Sequence, residues 1–305
     1  MLMGGIGFFD SGVGGLSVLF ACREILHGRP VYYYGDNARA PYGNRSLIDL
    51  RAYVREAFDL FEKLQVEVAV VACNTVTALL IEELRESYPF PVVGMEPALK
   101  PAMESYSCDI GRRVLLLATK ATCESERLKD LIARMKAEYQ NVEVLVEPCL
   151  TLAERIEEMC LQEEGMDSCL SELPKIEADA VVLGCTHYSL IKREISGFYK
   201  ARVFDGNDAV ARRLSTMLRS GWGKGEIAEA NERKNGEVMG FDHFCHFLTL
   251  LSSLRGFFGK KKKKGRRFRL RKNCVCFTCK NVAILYFMGS GRVQNRQFCE
   301  RMFGF

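Results

Sequence analysis

The run Val66-Glu-Val-Ala-Val-Val-Ala72 is rich in β-branched residues, ends at Cys73-Asn-Thr and leads at once into a helical stretch. The same arrangement returns at Ala178-Asp-Ala-Val-Val-Leu-Gly184, which ends at Cys185-Thr-His. A short apolar run bounded in this way reads as a strand buried on both faces, the mark of a parallel sheet covered by helices. In open sheets of that kind, ligands bind beyond the carboxyl ends of the strands. Each thiol therefore sits where a ligand would be met.

The remaining elements follow the same alternation. In the first unit, strands are expected at Ile6–Phe9, Pro30–Tyr34, the Cys73 run and Pro91–Gly94, with helices at Leu16–Cys22, from Ile48 to Leu64 and at Ala78–Glu86. A second series begins after Pro97, with strands at Val114–Ala118 and Val142–Val146, the Cys185 run, and Ala201–Phe204. The fold class predicted is α/β, with two similar domains, each a mostly parallel sheet flanked by helices, and the active site in the cleft between them. Residues 1–96, with about 206–234 and 283–305, form the first domain, and 97–205 the second. A basic, Cys-containing insertion over about 235–282 breaks the style and is expected to be poorly ordered. After it, Val282–Phe287 reads as a strand and Gln297–Arg301 as a short helix.

Thirteen cysteines, an odd number without a disulfide-like framework, favour a reducing cytoplasm. The start reads as a first strand rather than a signal peptide, and no segment nears the length of a bilayer span. The net charge of +5 conceals two different objects. Between Arg255 and Lys280 lie twelve Lys or Arg and no Asp or Glu, which leaves the rest of the chain acidic.

Inverting a carbon acid beside a carboxylate without a cofactor takes a base on one face and a proton donor on the other. The two must differ by one proton and exchange that difference each turnover. Cysteine suits both parts, and a strand-end site before a helix N-terminus is expected to lower the thiol pKa. Cys73 and Cys185 are the candidates, although ordinary buried thiols remain the alternative. Asp10, in the turn Asp10-Ser-Gly-Val-Gly-Gly15, is a strand-end carboxylate able to assist a neighbouring base. The glycines permit either anion binding or simply a tight strand–helix turn. Asn74, Thr75, Thr119, Thr122 and Thr186 lie at strand ends, as ligands for a carboxylate and an ammonium or as helix N-caps. His187 is placed to tune Cys185. Glu147 is a candidate to orient His187 or to pair with an ammonium.

Five segments in order resemble the glutamate racemase family: Phe9–Ser17, Tyr34–Gly43, Val71–Thr75, Ala118–Thr122 and Leu183–His187. The resemblance covers roughly residues 4 to 220. It implies cofactor-independent interconversion of L- and D-glutamate for peptidoglycan synthesis, with the thiols on opposite faces of the α-carbon. Cys73 would deprotonate D-glutamate with help from Asp10. Cys185 would deprotonate L-glutamate, helped by His187 with Glu147. Asp10, Ser11, Tyr42, Gly43, Asn74, Thr75, Thr119, Thr122 and Thr186 match the family's substrate-binding positions. No metal or organic cofactor is implied, and a homodimer is left open.

An aspartate racemase would use the same thiol pair. A Cys-His hydrolase built on Cys185 and His187 leaves Cys73 unexplained. Cys274, Cys276 and Cys279, with His243, Cys245 and His246, are enough ligands for zinc, but their spacing is not a paired Cys-X-X-Cys pattern, so no metal site is assigned. The basic run over 255–280 is expected to bind anions weakly and without specificity, with no dedicated nucleic-acid or membrane partner.

Overall fold

The computed structural model describes residues 4–26, 29–106, 108–109, 111–162 and 166–220, together with the backbone of two later strands. The first unit runs β1 (Ile6–Asp10), α1 (Leu16–Cys22), β2 (Val31–Gly35), α2 (Leu47–Lys63), β3 (Val68–Val71), α3 (Asn74–Ser87) and β4 (Val92–Gly94). The second comprises α4 (Leu99–Glu104), β5 (Arg112–Ala118), α5 (Lys120–Glu124), α6 (Glu126–Glu138), β6 (Val142–Pro148), α7 (Leu152–Gln162), α8 (Met166–Leu170), β7 (Ala180–Gly184), α9 (Lys192–Tyr199) and β8 (Arg202–Phe204). The chain continues through α10 (Asn207–Arg219), then β9 (Cys274–Cys279) and β10 (Val282–Phe287).

The first sheet has the order β4-β3-β1-β2-β10-β9 and the second β6-β5-β7-β8. All pairings are parallel except that of β9 with β10. Period-two alternation divides β1 between two cores. Ile6 and Phe8 join α1 and α10 on one face through Leu16, Leu19, Val210 and Leu214. Phe9 faces α2 and α3 through Phe58, Phe61, Val76 and Leu80. α10 thus returns from the second unit to pack on the first. Both faces of β5 and β7 are likewise covered, which is why their sequences are unbroken apolar runs.

α2 shows how local signals fix an element. The hydroxyl of Ser46 accepts from the Asp49 amide at 3.1 Å and caps the helix. Leu50, Val54, Ala57, Phe58 and Phe61 then form its buried stripe. Each large side chain in such a stripe contributes roughly 1.5–3 kcal/mol by leaving water.

The C-terminal part departs from expectation. Val282–Phe287 is the anticipated strand and lies beside β2. Cys274–Cys279, read from sequence as part of a poorly ordered insertion, is instead the edge strand β9, antiparallel to β10. Val275, Phe277 and Thr278 favour extended backbone, and only residues 280–281 separate the two strands. The remainder of the expected insertion, including the lysine run, His243, Cys245 and His246, lies outside the described residues. So does the helix expected at Gln297–Arg301.

Candidate active site

The carboxyl ends of β1, β3, β5 and β7 deliver Asp10, Cys73, Thr119 and Cys185 to a common region between the two sheets. All four are buried, and Ser11, Asn74, Thr75, Thr122, Thr186 and His187 are buried beside them. The strand-end positions picked out in the two halves of the sequence therefore meet across one cleft.

On one side, Cys73 occupies the N-cap position of α3 and its sulfur lies 3.7 Å from the hydroxyl of Ser11. Burial pushes this thiol up to about 12, with the Asp10 carboxylate adding to the effect and the Val76 amide of α3 opposing it. The lowering expected from the helix terminus is thus outweighed by desolvation. Negative charge at Cys185 also opposes ionisation of Cys73, so the two sulfurs sense each other.

Asp10 is held from three directions. Its Oδ2 accepts from the amides of Gly12 at 3.1 Å and Gly15 at 2.9 Å, and its Oδ1 accepts from the Thr186 hydroxyl at 3.1 Å. Burial raises its pKa, while His187 and these hydrogen bonds pull it down. The glycine turn does bind an anion, and that anion is the protein's own carboxylate.

On the other side, the Cys185 sulfur lies 3.7 Å from Nδ1 of His187. Nε2 of the same ring is 2.6 Å from Oε1 of Glu157. Burial disfavours a charged imidazole, but the hydrogen bonds to Cys185 and Glu157 outweigh it and raise the His187 pKa well above its usual value. Glu157 also accepts from the Val13 amide at 3.3 Å and from the Asn37 side chain at 3.4 Å, both in the first domain. The carboxylate therefore ties the imidazole of one domain to two loops of the other.

This corrects the assignment of Glu147 as the partner of His187. Glu147 lies half-buried near the end of β6, where its charge acts on Cys123, Cys149 and Tyr199. The helix after that strand folds back over the strand ends and brings a carboxylate from its own buried face. A signal existed in the sequence: Ala153, Ile156 and Glu157 stand at i, i+3 and i+4, which places a charge within an apolar stripe.

Gly12 and Gly14 are explained by the same contact. A Cβ at Gly12 would fall 2.0 Å from Oε1 of Glu157, and one at Gly14 would fall 2.6 Å from the His187 amide nitrogen. Absence of side chains lets the domains meet.

The hydroxyls of Thr75, Thr119 and Thr122 form a triangle with edges of 3.0, 3.4 and 2.9 Å. Thr75 comes from α3 of the first domain and the others from the start of α5 in the second. The 3-10 turn Tyr42–Asn44 closes against them, with Gly43 packed on Thr119. The Tyr42 hydroxyl donates to Asp36, and the Asn74 amide to the Met95 carbonyl at 3.3 Å. Those two side chains therefore brace the site from within the first domain. Hydroxyls, helix starts and backbone amides suit a carboxylate.

The sequence profile described as Asp/Glu/Hydantoin racemase matches residues 13–214. The chain belongs to that racemase family. A glutamate racemase from Clostridium kluyveri is 38% identical over 245 residues, covering 78% of this chain and 91% of the relative. One from Clostridium botulinum is 35% identical over 246 residues, covering 77% and 93%. The crystal structure of Escherichia coli glutamate racemase, in complex with L-glutamate and the activator UDP-MurNAc-ala, superposes with a TM-score of 0.63 at 32% identity. It covers 78% of this chain and 87% of the other.

This racemase has its cleft shut in the present structure, since Cys73 and Cys185 are only 4% and 7% exposed. A separate cavity of about 1290 Å³, bordered by α4, α6 and α10, includes neither sulfur. No helix among the described residues is long and apolar enough to cross a membrane.

Proposed function

We propose that this racemase interconverts L- and D-glutamate by a two-thiol mechanism and supplies D-glutamate for peptidoglycan synthesis. The observation that carries the reading is the pair of buried sulfurs, one from each domain, each with a different titratable partner. A single-base enzyme has no use for such a pair.

In the L-to-D direction, the thiolate of Cys185 takes the α-proton, and the electron pair left on the α-carbon delocalises into the adjacent carboxylate. The thiol of Cys73 then delivers its own proton to the opposite face. The product leaves with Cys185 as thiol and Cys73 as thiolate, the state needed for the reverse reaction. His187, oriented by Glu157, exchanges a proton with the Cys185 sulfur through Nδ1. Asp10 serves the Cys73 side. The Thr75, Thr119 and Thr122 hydroxyls with the Tyr42–Gly43 turn receive a substrate carboxylate, and Ser11, Asn74 and Thr186 complete the lining.

The test is incubation of each glutamate enantiomer in D2O without added cofactor, following α-deuterium uptake and optical rotation. Racemisation with one deuterium in each newly formed enantiomer is expected. Cys73→Ser and Cys185→Ser should each nearly abolish it. Full activity in either variant would overturn the two-thiol mechanism.

A further inference from the structure

Asp36 is a fully buried carboxylate to which the proposed mechanism gives no role. It lies just past the end of β2, where its own amide donates to the Asp10 carbonyl at 3.1 Å. Its carbonyl receives the amides of Arg39 and Ala40, both at 3.1 Å, which winds the loop back toward the cleft. Its Oδ2 is the shared acceptor of Arg39 Nε, at 2.6 Å, and of the Tyr42 hydroxyl.

Arg39 turns toward α2. Its guanidinium reaches Glu56 at 3.2 Å and stacks over the Tyr53 ring at 4.2 Å, on the α2 side. Its single positive charge is therefore shared between Asp36 and Glu56. The Tyr42 ring is 1% exposed and packs among Phe9 and Tyr53, and its hydroxyl is engaged by Asp36. What the tyrosine offers the cleft is the turn that it begins. That turn sets Gly43 so close to Thr119 that a Cβ at position 43 would lie 2.8 Å from the threonine's Cβ. The Asn44 side chain reaches the Leu150 carbonyl, also in the second domain, at 3.5 Å.

We propose that Asp36 is a positioning residue for substrate binding. By gripping the Tyr42 hydroxyl and Arg39 together, it fixes the Tyr42–Asn44 turn at the height where its backbone completes the carboxylate pocket of Thr75, Thr119 and Thr122. The inference rests on the proposed use of that pocket and adds a residue that does not itself touch substrate. Asp36 acts through the turn, so its loss weakens the grip on substrate and leaves proton transfer between each sulfur and the α-carbon intact. Both enantiomers share the carboxylate pocket and are affected alike.

The experiment is steady-state racemisation of L- and D-glutamate by the full-length chain carrying Tyr42→Phe, Asp36→Asn or both, with thermal melting alongside. Tyr42→Phe keeps the ring and removes only the hydroxyl, so it carries the test even where Asp36→Asn fails to fold. We expect each single variant to raise KM for both enantiomers about tenfold or more while kcat stays within about threefold. The double variant should be no worse in KM than the poorer single one, because Asp36→Asn weakens and Tyr42→Phe removes the same charge-assisted contact. A KM unchanged in Tyr42→Phe with a lowered melting temperature would reduce the network to a structural brace and overturn the proposal. So would a fall in kcat at constant KM, or multiplicative effects in the double variant. Absence of racemisation in the unaltered enzyme would instead remove the function itself, which separates the two failures.

Discussion

Glu157→Gln isolates one half of the proposed mechanism. The glutamine oxygen can still accept from His187 Nε2 and the Val13 amide, now 2.6 and 3.3 Å from Oε1. Its amide group, however, faces the Asn37 donor now 3.4 Å from Oε2, and the imidazole loses its counter-charge. Burial then meets less opposition, and the His187 pKa falls from its raised position. Because an acceptor survives, the stability cost should be about 1–2 kcal/mol, the difference between charged and neutral hydrogen bonds, and not the ~3–5 kcal/mol of a broken buried pair. The catalytic cost is larger, since unassisted proton transfer at one face lowers the rate by about 10²–10⁴-fold. The enantiomers have equal free energy, so kcat/KM must fall equally in both directions. The primary isotope effect need not be symmetric. With the Cys185 step limiting, the effect on kcat/KM should approach its full value for L-[2-²H]glutamate and approach unity for the D-enantiomer. Measuring both isotope effects is the assay. A large loss of rate with equal isotope effects in both directions would refute the assignment of Glu157 and His187 to one sulfur.

Gly12→Ala should cost at least about 10²-fold in kcat/KM with little change in melting temperature, because its Cβ enters the space of Glu157 and keeps the domains apart. Activity within about threefold of the parent would show that the close approach is dispensable. The His187 pKa is raised above its unfolded value, so the stability that it contributes is complete below about pH 6.5 and is lost as pH rises toward the folded pKa. The melting-temperature gap between the parent and Glu157→Gln should therefore narrow from pH 6 into the alkaline range, and a gap that widens would contradict the charged pair. Iodoacetamide at pH 8 should alkylate exposed Cys108 well before Cys73, whose thiol burial pushes up to about 12. Peptide mass spectrometry gives the order, and early labelling of Cys73 would mean that the cleft stands open in solution.

Much of the candidate site was legible because strand ends are legible. A β-branched run followed by a small polar residue marks where a parallel strand stops, and that alone placed Cys73, Asn74, Thr119, Cys185 and Thr186. Glu157 was hidden for the complementary reason. It lies inside a helix that also carries Glu154 and Glu158, thirty residues from the histidine that it holds, and the strand-end rule pointed to Glu147 instead. Asp36 belonged to a recognisable motif, but nothing in the motif revealed that its carboxylate would bind Tyr42 and Arg39 together. β9 was missed because a basic run beside it suggested disorder, whereas strand pairing depends on a neighbour, here β10.

From the sequence alone followed two α/β units, the direction of their strands and the delivery of one thiol to the end of each sheet. Alternation and apolar runs are local properties, and chain direction carries a strand-end residue to the cleft without further help. Only the tertiary structure decided the company that each thiol keeps. Asp10 and Ser11 stand by Cys73, while His187 and a carboxylate from α7 stand by Cys185. It also decided the charge balance, since desolvation depends on everything packed around an atom. At Cys73 that packing overturned the pKa shift expected from its place on the helix.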